Sequence, residues 1–290
     1  MSILTARTLT PAAQLWLAEA RAPRVLGVFE RACDLVDAAS RVLALVTAEA
    51  GLAPFGLALA DAGRPFASLT AASPVAVTAG ALRLGALTIR VDGAALWDPR
   101  PDWAAVRAAL ADEAESMQRV TAWALAIGKP GSLLETLYSP RPPADDASGA
   151  GCRALISGLR SRSLDHALAG VQILAGRGGG LTPAGDDFIV GALLAAWAGL
   201  FGAEAAALAE PMAEVAAPRT TTLSAAYLRA AARGECAAPW HRLLAALVAA
   251  SDSEINAALR ALLAVGHTSG ADGLAGFLAG RRLAAEEPLS

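Results

Sequence analysis

The sequence predicts an α+β protein, with a small β-rich, barrel-like region over residues 1–100 and a larger, mainly helical region over residues 101–290. Three observations predict it. Between Val25 and Asp98, short runs of β-favouring residues alternate with turn formers. Trp97-Asp98-Pro99-Arg100-Pro101 then breaks the pattern, because proline lacks the N–H that a strand ladder or a helix interior needs. Beyond that break, alanine and leucine recur at helical spacing to the end of the chain. With 290 residues, 55% of them hydrophobic, the chain can bury the core that such an architecture requires.

In chain order, strands are expected at Val25–Phe29, Arg41–Val46, Phe55–Leu59, Pro74–Val77 and Ala81–Val91, the last broken at Gly85. Their alternation suits a small barrel, a sandwich or a mixed sheet. Helical spacing begins near Trp103–Leu125. The run Ser139–Gly149, rich in Pro, Asp and Ser, reads as an exposed connection. Helices are expected near Cys152–Leu159, Ser163–Leu174, Pro183–Leu200, Ala203–Ala216, Leu223–Ala232, Pro239–Ala250, Ser253–Val265 and Gly270–Ala279. The longest uncharged apolar stretch, Phe188–Ala203, falls short of the ~20 residues a membrane span needs, so it reads as a buried core helix.

Charge narrows the function classes. A formal net charge of −3 provides no broad basic field for nucleic acid or anionic lipid, although it leaves room for a local basic pocket. Lys129 is the only lysine, a bias that fits a GC-rich genome. Cys33, Cys152 and Cys236 are widely spaced and odd in number, which disfavours both a disulfide framework and a cysteine-built zinc site. Met1–Arg24 carries charges throughout, unlike a secretory leader. A cytoplasmic protein is expected.

Two segments carry the chemistry. Gly178-Gly179-Gly180-Leu181-Thr182-Pro183-Ala184-Gly185-Asp186-Asp187 leads directly into the apolar run. Its glycines permit close backbone approach to a ligand, Thr182 is a good N-cap and Pro183 suits the first helical position. The segment therefore reads as an anion cradle at a helix start, although Asp186 and Asp187 would repel an anion unless they serve the helix dipole. A bound cation such as magnesium would remove the conflict.

Gly266-His267-Thr268-Ser269-Gly270-Ala271-Asp272 repeats the pattern with one residue deleted. Gly180 and Thr182 match Gly266 and Thr268, and Gly185, Asp187 and Gly191 match Gly270, Asp272 and Gly276. Two facing helix starts could then surround one ligand, with Gly191 and Gly276 permitting close helix packing. The competing reading is a structural pair of capped helices. Between the two motifs, Arg219-Thr220-Thr221-Thr222-Leu223-Ser224 is capping material that could add hydroxyls and an arginine fork for an anion. His267, the only histidine in a glycine motif, joins Asp187 and Asp272 as a candidate for proton transfer or cation support. Gly178, Gly179 and Gly180 are assigned to backbone approach. Thr182, Asp186, Thr222, Thr268, Ser269 and Arg219 are assigned to ligand binding. Gly128-Lys129-Pro130-Gly131-Ser132 lacks the spacing of a phosphate loop.

Taken together, Gly180–Phe188, Thr220–Ser224 and Gly266–Asp272 resemble the bacterial family of AllH, one of three subunits of oxamate carbamoyltransferase in anaerobic allantoin catabolism. The resemblance implies carbamoyl transfer between oxamate and phosphate, with AllF-like and AllG-like subunits as partners. Two other readings stand beside it. The paired Asp-bearing helix starts also resemble magnesium-dependent helical hydrolases such as the ADP-ribosylglycohydrolases. A non-catalytic structural or binding subunit would use the same glycines for helix contacts.

Overall fold

The computed structural model describes residues 2–60, 63–111, 114–138, 147–201 and 204–281. The chain divides into two compact units, Met1–Pro99 and Arg100–Ser290.

The first unit is a nearly closed, barrel-like sheet of β1 (Ser2–Leu9), β2 (Arg24–Val28), β3 (Ala32–Val36), β4 (Val42–Val46), β5 (Gly56–Leu59), β6 (Val75–Thr78), β7 (Ala81–Leu84), β8 (Leu87–Arg90) and β9 (Ala95–Leu96). The strand order is β2-β3-β4-β5-β1-β8-β7-β6, with β9 also on β1. β1 is the bent staple of the sheet. Ser2–Thr5 pairs in parallel with β8, and beyond an irregularity between Ala6 and Thr8 the strand pairs antiparallel with β5 and in parallel with β9. Such irregularities bend a strand and increase its twist, which lets one strand serve two directions of a curved sheet.

All five expected strands appear, within a residue or two at their ends. The expected break at Gly85 is the two-residue turn between β7 and β8, where Leu84 faces Leu87 and Gly85 has φ +56°. Three strands were not anticipated: β1, β3 and β9. Nor was helix α1 (Pro11–Glu19), which Thr10 caps by accepting a hydrogen bond from Ala13 N at 3.1 Å. Trp16 of α1 is buried in the barrel core with Leu35, Leu43, Leu57, Leu82 and Ile89, and its indole N–H donates to Arg41 O at 2.9 Å.

The second unit is helical: α2 (Trp103–Ala109), α3 (Ala114–Ile127), α4 (Leu133–Tyr138), α5 (Ala147–Arg160), α6 (Leu164–Leu174), α7 (Ala184–Ala195), α8 (Ala205–Ala216), α9 (Thr222–Ala232), α10 (Ala238–Val248), α11 (Asp252–Leu263) and α12 (Ser269–Arg281). The single helical stretch expected near Trp103–Leu125 is two helices, and α4 follows the turn that the sequence left unassigned. Most of the Ser139–Gly149 connection lies outside the described residues, but its last three residues already belong to α5.

The apolar run is α7, extended over Ala196–Leu200 by a wider helical turn that closes on Gly199. Among the described residues no helix is long and apolar enough to cross a membrane. α7 and α12 are buried on nearly every side, including Phe188, Ile189, Leu193 and Leu194 of the first and Leu274, Phe277 and Leu278 of the second. A helix apolar all round belongs at the centre of a bundle, and these two form the central pair of the unit. All three cysteines are buried, Cys33 in the sheet and Cys152 and Cys236 among the helices.

Candidate functional site

Both central helices begin the same way. After α6 the chain turns through Gly176, Gly178 and Gly180 at φ +73°, +120° and +86°, a backbone region that side-chain-bearing residues rarely adopt. A Cβ on Gly178 would lie 2.7 Å from Ala184 N, so this loop is folded against the first turn of α7, whereas the positions beside Gly179 and Gly180 are open. Gly185 sits against the end of α6, where a Cβ would lie 2.2 Å from Leu174 O. After α11 the chain turns at Gly266, φ +61°, and Gly270 sits against α11, where a Cβ would lie 1.9 Å from Leu262 O.

Packing between α7 and α12 is reciprocal. A Cβ on Gly191 would lie 1.8 Å from Gly273 O, and one on Gly276 would lie 2.0 Å from Phe188 O. Gly191 and Gly276 occupy matching places in the repeat, and so do Phe188 and Gly273, so each contact is the image of the other. This is the signature of a local two-fold relation between the helices. Any larger residue at either glycine would force the backbones apart.

The same relation brings the two motifs together. Thr182 Oγ1 and Ser269 Oγ are 2.9 Å apart. The Ser269 and Thr182 hydroxyls both lie beside the Asp187 carboxyl. Burial pushes that carboxyl well above the usual carboxylate range, helped by the negative charges of Asp272 and Asp186 and opposed by the two hydroxyls. Asp272 is fully buried; it too is pushed up by burial, against the Leu133 N–H and the Thr268 hydroxyl. Leu133 N donates to Asp272 Oδ1 at 2.6 Å, while Oδ2 of Asp187 and Oδ2 of Asp272 are buried with no hydrogen-bond partner among the described residues.

Asp186 has a different environment. Its Oδ1 accepts from Gly176 N at 2.9 Å, and its Oδ2 accepts from Ser224 Oγ at 2.9 Å and from the Thr220 hydroxyl. Burial raises its pKa and these three donors lower it. Its carboxylate ties the glycine loop and the start of α9 to α7.

Several sequence assignments are corrected in detail. Thr182 is not the N-cap of α7: Pro183 occupies that place, with extended ψ of 143°, and its carbonyl accepts from the Asp186 and Asp187 amides. The Thr182 hydroxyl is thereby left to face Ser269. Thr222 is the first residue of α9 rather than its cap; Thr221 caps α9, accepting from Ser224 N at 3.1 Å while donating to Leu181 O at 2.5 Å. The Arg219 guanidinium donates back along α8 to Val215 O at 2.8 Å. His267 stands exposed in the turn before α12, flanked by Thr268 and Ser269.

Sequence reasoning missed Thr220, Thr221 and Ser224 as individual contacts, and it missed Lys129. The turn before α4 reaches α12: Lys129 Nζ donates to Gly266 O at 2.9 Å, and Leu133 N holds Asp272. The signal available was the lone lysine of the chain set between a glycine and Pro-Gly-Ser. A separate cavity of about 840 Å³ beside α1 is lined by Glu19, Arg21, Asp37 and Arg41. There Arg41 is already engaged by Asp37 and Glu19, at 2.8 and 2.6 Å.

Comparison with known families decides the affiliation. Residues 174–281, which contain both glycine motifs and the whole of α7–α12, match the model of oxamate carbamoyltransferase subunit AllH, and residues 5–96 match that of the AllH family N-terminal domain. The chain belongs to the AllH family. The family is described as a subunit of a carbamoyltransferase, so its members have partner chains. The boundaries of the two matches follow the architecture: one covers the barrel-like sheet, and the other starts at the last residue of α6 and ends with α12. No solved structure matches the chain.

Proposed function

We propose that this AllH-family subunit binds a small carbamoyl- or carboxylate-bearing anion at the joined starts of α7 and α12, and that it takes part in carbamoyl transfer between phosphate and oxamate in allantoin-type nitrogen catabolism. The observation that carries the reading is the meeting of the two glycine motifs at the Thr182–Ser269 hydrogen bond, within the segment matched by the oxamate carbamoyltransferase subunit. The two helix starts point their positive dipole ends at the site, which suits an anion, and the loop at Gly179 and Gly180 leaves room for close approach.

In this reading the oxamate nitrogen attacks the carbamoyl carbon of carbamoyl phosphate, the C–O bond to phosphate breaks and phosphate leaves. The attacking nitrogen loses one proton. Asp187, which lies beside hydroxyls that can relay it, or the solvent-facing His267 receives that proton. Thr182, Thr268 and Ser269 orient the planar substrate, and Lys129 adds positive charge at the Gly266 turn. Thr222 and Arg219 belong to the outer support of the site rather than to its centre. The subunit acts in the cytoplasm with AllF-like and AllG-like partners.

The test is carbamoyl transfer from carbamoyl phosphate to oxamate, measured with this protein alone and with its AllF-like and AllG-like partners. Activity that requires this chain and falls by about 10²-fold or more in Asp187→Asn supports the assignment. Full activity of the partners without this chain, or wild-type turnover in both Asp187→Asn and His267→Ala, overturns it.

A further inference from the structure

Two carboxyl oxygens in the central helix pair have no partner among the described residues. Asp272 Oδ2 and Asp187 Oδ2 are buried and unbonded among the described residues, although Asp272 as a whole is 0% exposed. Every other buried oxygen of the acidic trio is satisfied by a protein donor or lies beside hydroxyls: Asp186 has three donors, and Asp272 Oδ1 has Leu133 N. Native interiors rarely leave a carboxyl oxygen buried and unpaired, and an orphan of this kind marks a missing partner.

Nothing among the described residues supplies that partner. Among the described residues no ion pair reaches Asp187 or Asp272, and the nearby cation, Lys129, donates to Gly266 O instead. The two carboxylates sit at matching places of the repeat, on helices related by reciprocal contacts. A Cβ on Gly273, the neighbour of Asp272, would lie 3.4 Å from the Asp187 carbonyl oxygen, so the two residues adjoin where the helices cross. Two hydroxyls, Thr182 and Ser269, lie beside the Asp187 carboxyl and hydrogen-bond to each other, so oxygen surrounds the orphans. Thr182, Asp187 and Ser269 are only partly buried, which leaves a route from solvent.

We infer that Asp187 and Asp272, with the hydroxyls of Thr182 and Ser269, hold one hard divalent cation of the magnesium class between the starts of α7 and α12. Hard divalent cations take oxygen donors, and magnesium in particular is held by one or two carboxylates while water and ligand oxygens complete its shell. A cation there neutralises both carboxylates, leaves acceptance of the proton to His267 rather than Asp187, and turns the helix starts into a place where an anionic oxygen can also bind. The inference concerns the same site as the proposed function, but it does not depend on carbamoyl transfer, because cation binding can be read without any substrate.

Trp240 provides the readout. Its ring edge lies 3.4 Å from where a Cβ on Gly273 would stand, and Gly273 follows Asp272 directly. Terbium bound at Asp272 is therefore excited through Trp240. The experiment titrates the full chain with terbium, exciting the indole, and then displaces the lanthanide with magnesium or manganese. Expected are saturable green emission, its loss on adding magnesium or manganese, and an affinity at least about tenfold weaker in Asp187→Asn and Asp272→Asn, each checked for fold by circular dichroism. Trp240→Phe should lower emission without changing the magnesium midpoint of thermal stabilisation. If either Asn variant does not fold, Ser269→Ala and Thr182→Val carry the test, with a several-fold loss of affinity expected. Absent emission, emission that magnesium and manganese fail to displace, or equal affinity in wild type and folded variants overturns the inference. Such failure leaves the carbamoyl transfer assay to stand or fall on its own.

Discussion

The starts of α7 and α12 share one backbone plan and are braced differently. Each begins beside a glycine pressed on the preceding helix, carries an aspartate two residues later, and places a further glycine where the partner backbone passes. At the position before that aspartate, however, α7 has Asp186 and α12 has Ala271. Asp186 gathers Gly176, Thr220 and Ser224, so the start of α7 is fixed by donors from the glycine loop and from the start of α9. The start of α12 is fixed instead by the turn before α4, through Leu133 N on Asp272 and Lys129 on Gly266 O. A repeated motif thus keeps what the shared geometry requires, and the residues outside the repeat supply the support. Asp186 and Asp187, adjacent and chemically identical, consequently have separate tasks: the first is saturated with donors, and the second has an oxygen to offer.

The comparison is most severely tested at the crossing. Gly191→Ala and Gly276→Ala should each lower stability in chemical denaturation by roughly 3 kcal/mol, because the added carbon meets backbone rather than a side chain that can move. The two losses should be similar; a large loss in one and none in the other would break the two-fold relation.

Next comes the division between the adjacent aspartates. Asp186→Ala strands three donors and should cost about 2–3 kcal/mol, whereas Asp187→Asn should stay within about 1 kcal/mol of wild type while losing cation affinity and turnover. Equal stability losses would mean that Asp187 is also structural. Smaller still, Thr221→Val removes a cap and a bond to Leu181 O and should cost about 1 kcal/mol, against a change within about 0.5 kcal/mol for Thr222→Val. The weakest expected effect is at the α12 brace: Lys129→Met should cost about 0.5 kcal/mol and speed amide hydrogen exchange in Gly266–Ser269, leaving Gly178–Leu181 unchanged.

Much of this organisation was legible because it is written in local pattern. The strand pairs around Gly85, the helices from α5 onward and the close-packing glycines all follow from periodicity, turn chemistry and the absence of a side chain. β1 was not legible, since a strand that pairs with β5, β8 and β9 declares itself only when those distant strands are present. The site shows the same divide. The repeat identified Asp187 and Asp272 as counterparts, yet the choice of Thr221 over Thr222 as cap turned on one residue of helix phase, and Arg219 turned back because Val215 O lies one helical turn behind it.

By itself the sequence determined the α+β class, the burial of the apolar run of α7 and the likeness of the two glycine starts, because each depends on residue type and spacing along the chain. Tertiary structure alone decided that Asp186 would be enclosed by hydroxyls, that Lys129 and Leu133 would reach α12, and that one oxygen each of Asp187 and Asp272 would be left without a partner. Hydrogen-bond partners in these contacts lie 10 to 139 positions apart, and no local preference can specify which distant donor arrives at a buried carboxylate.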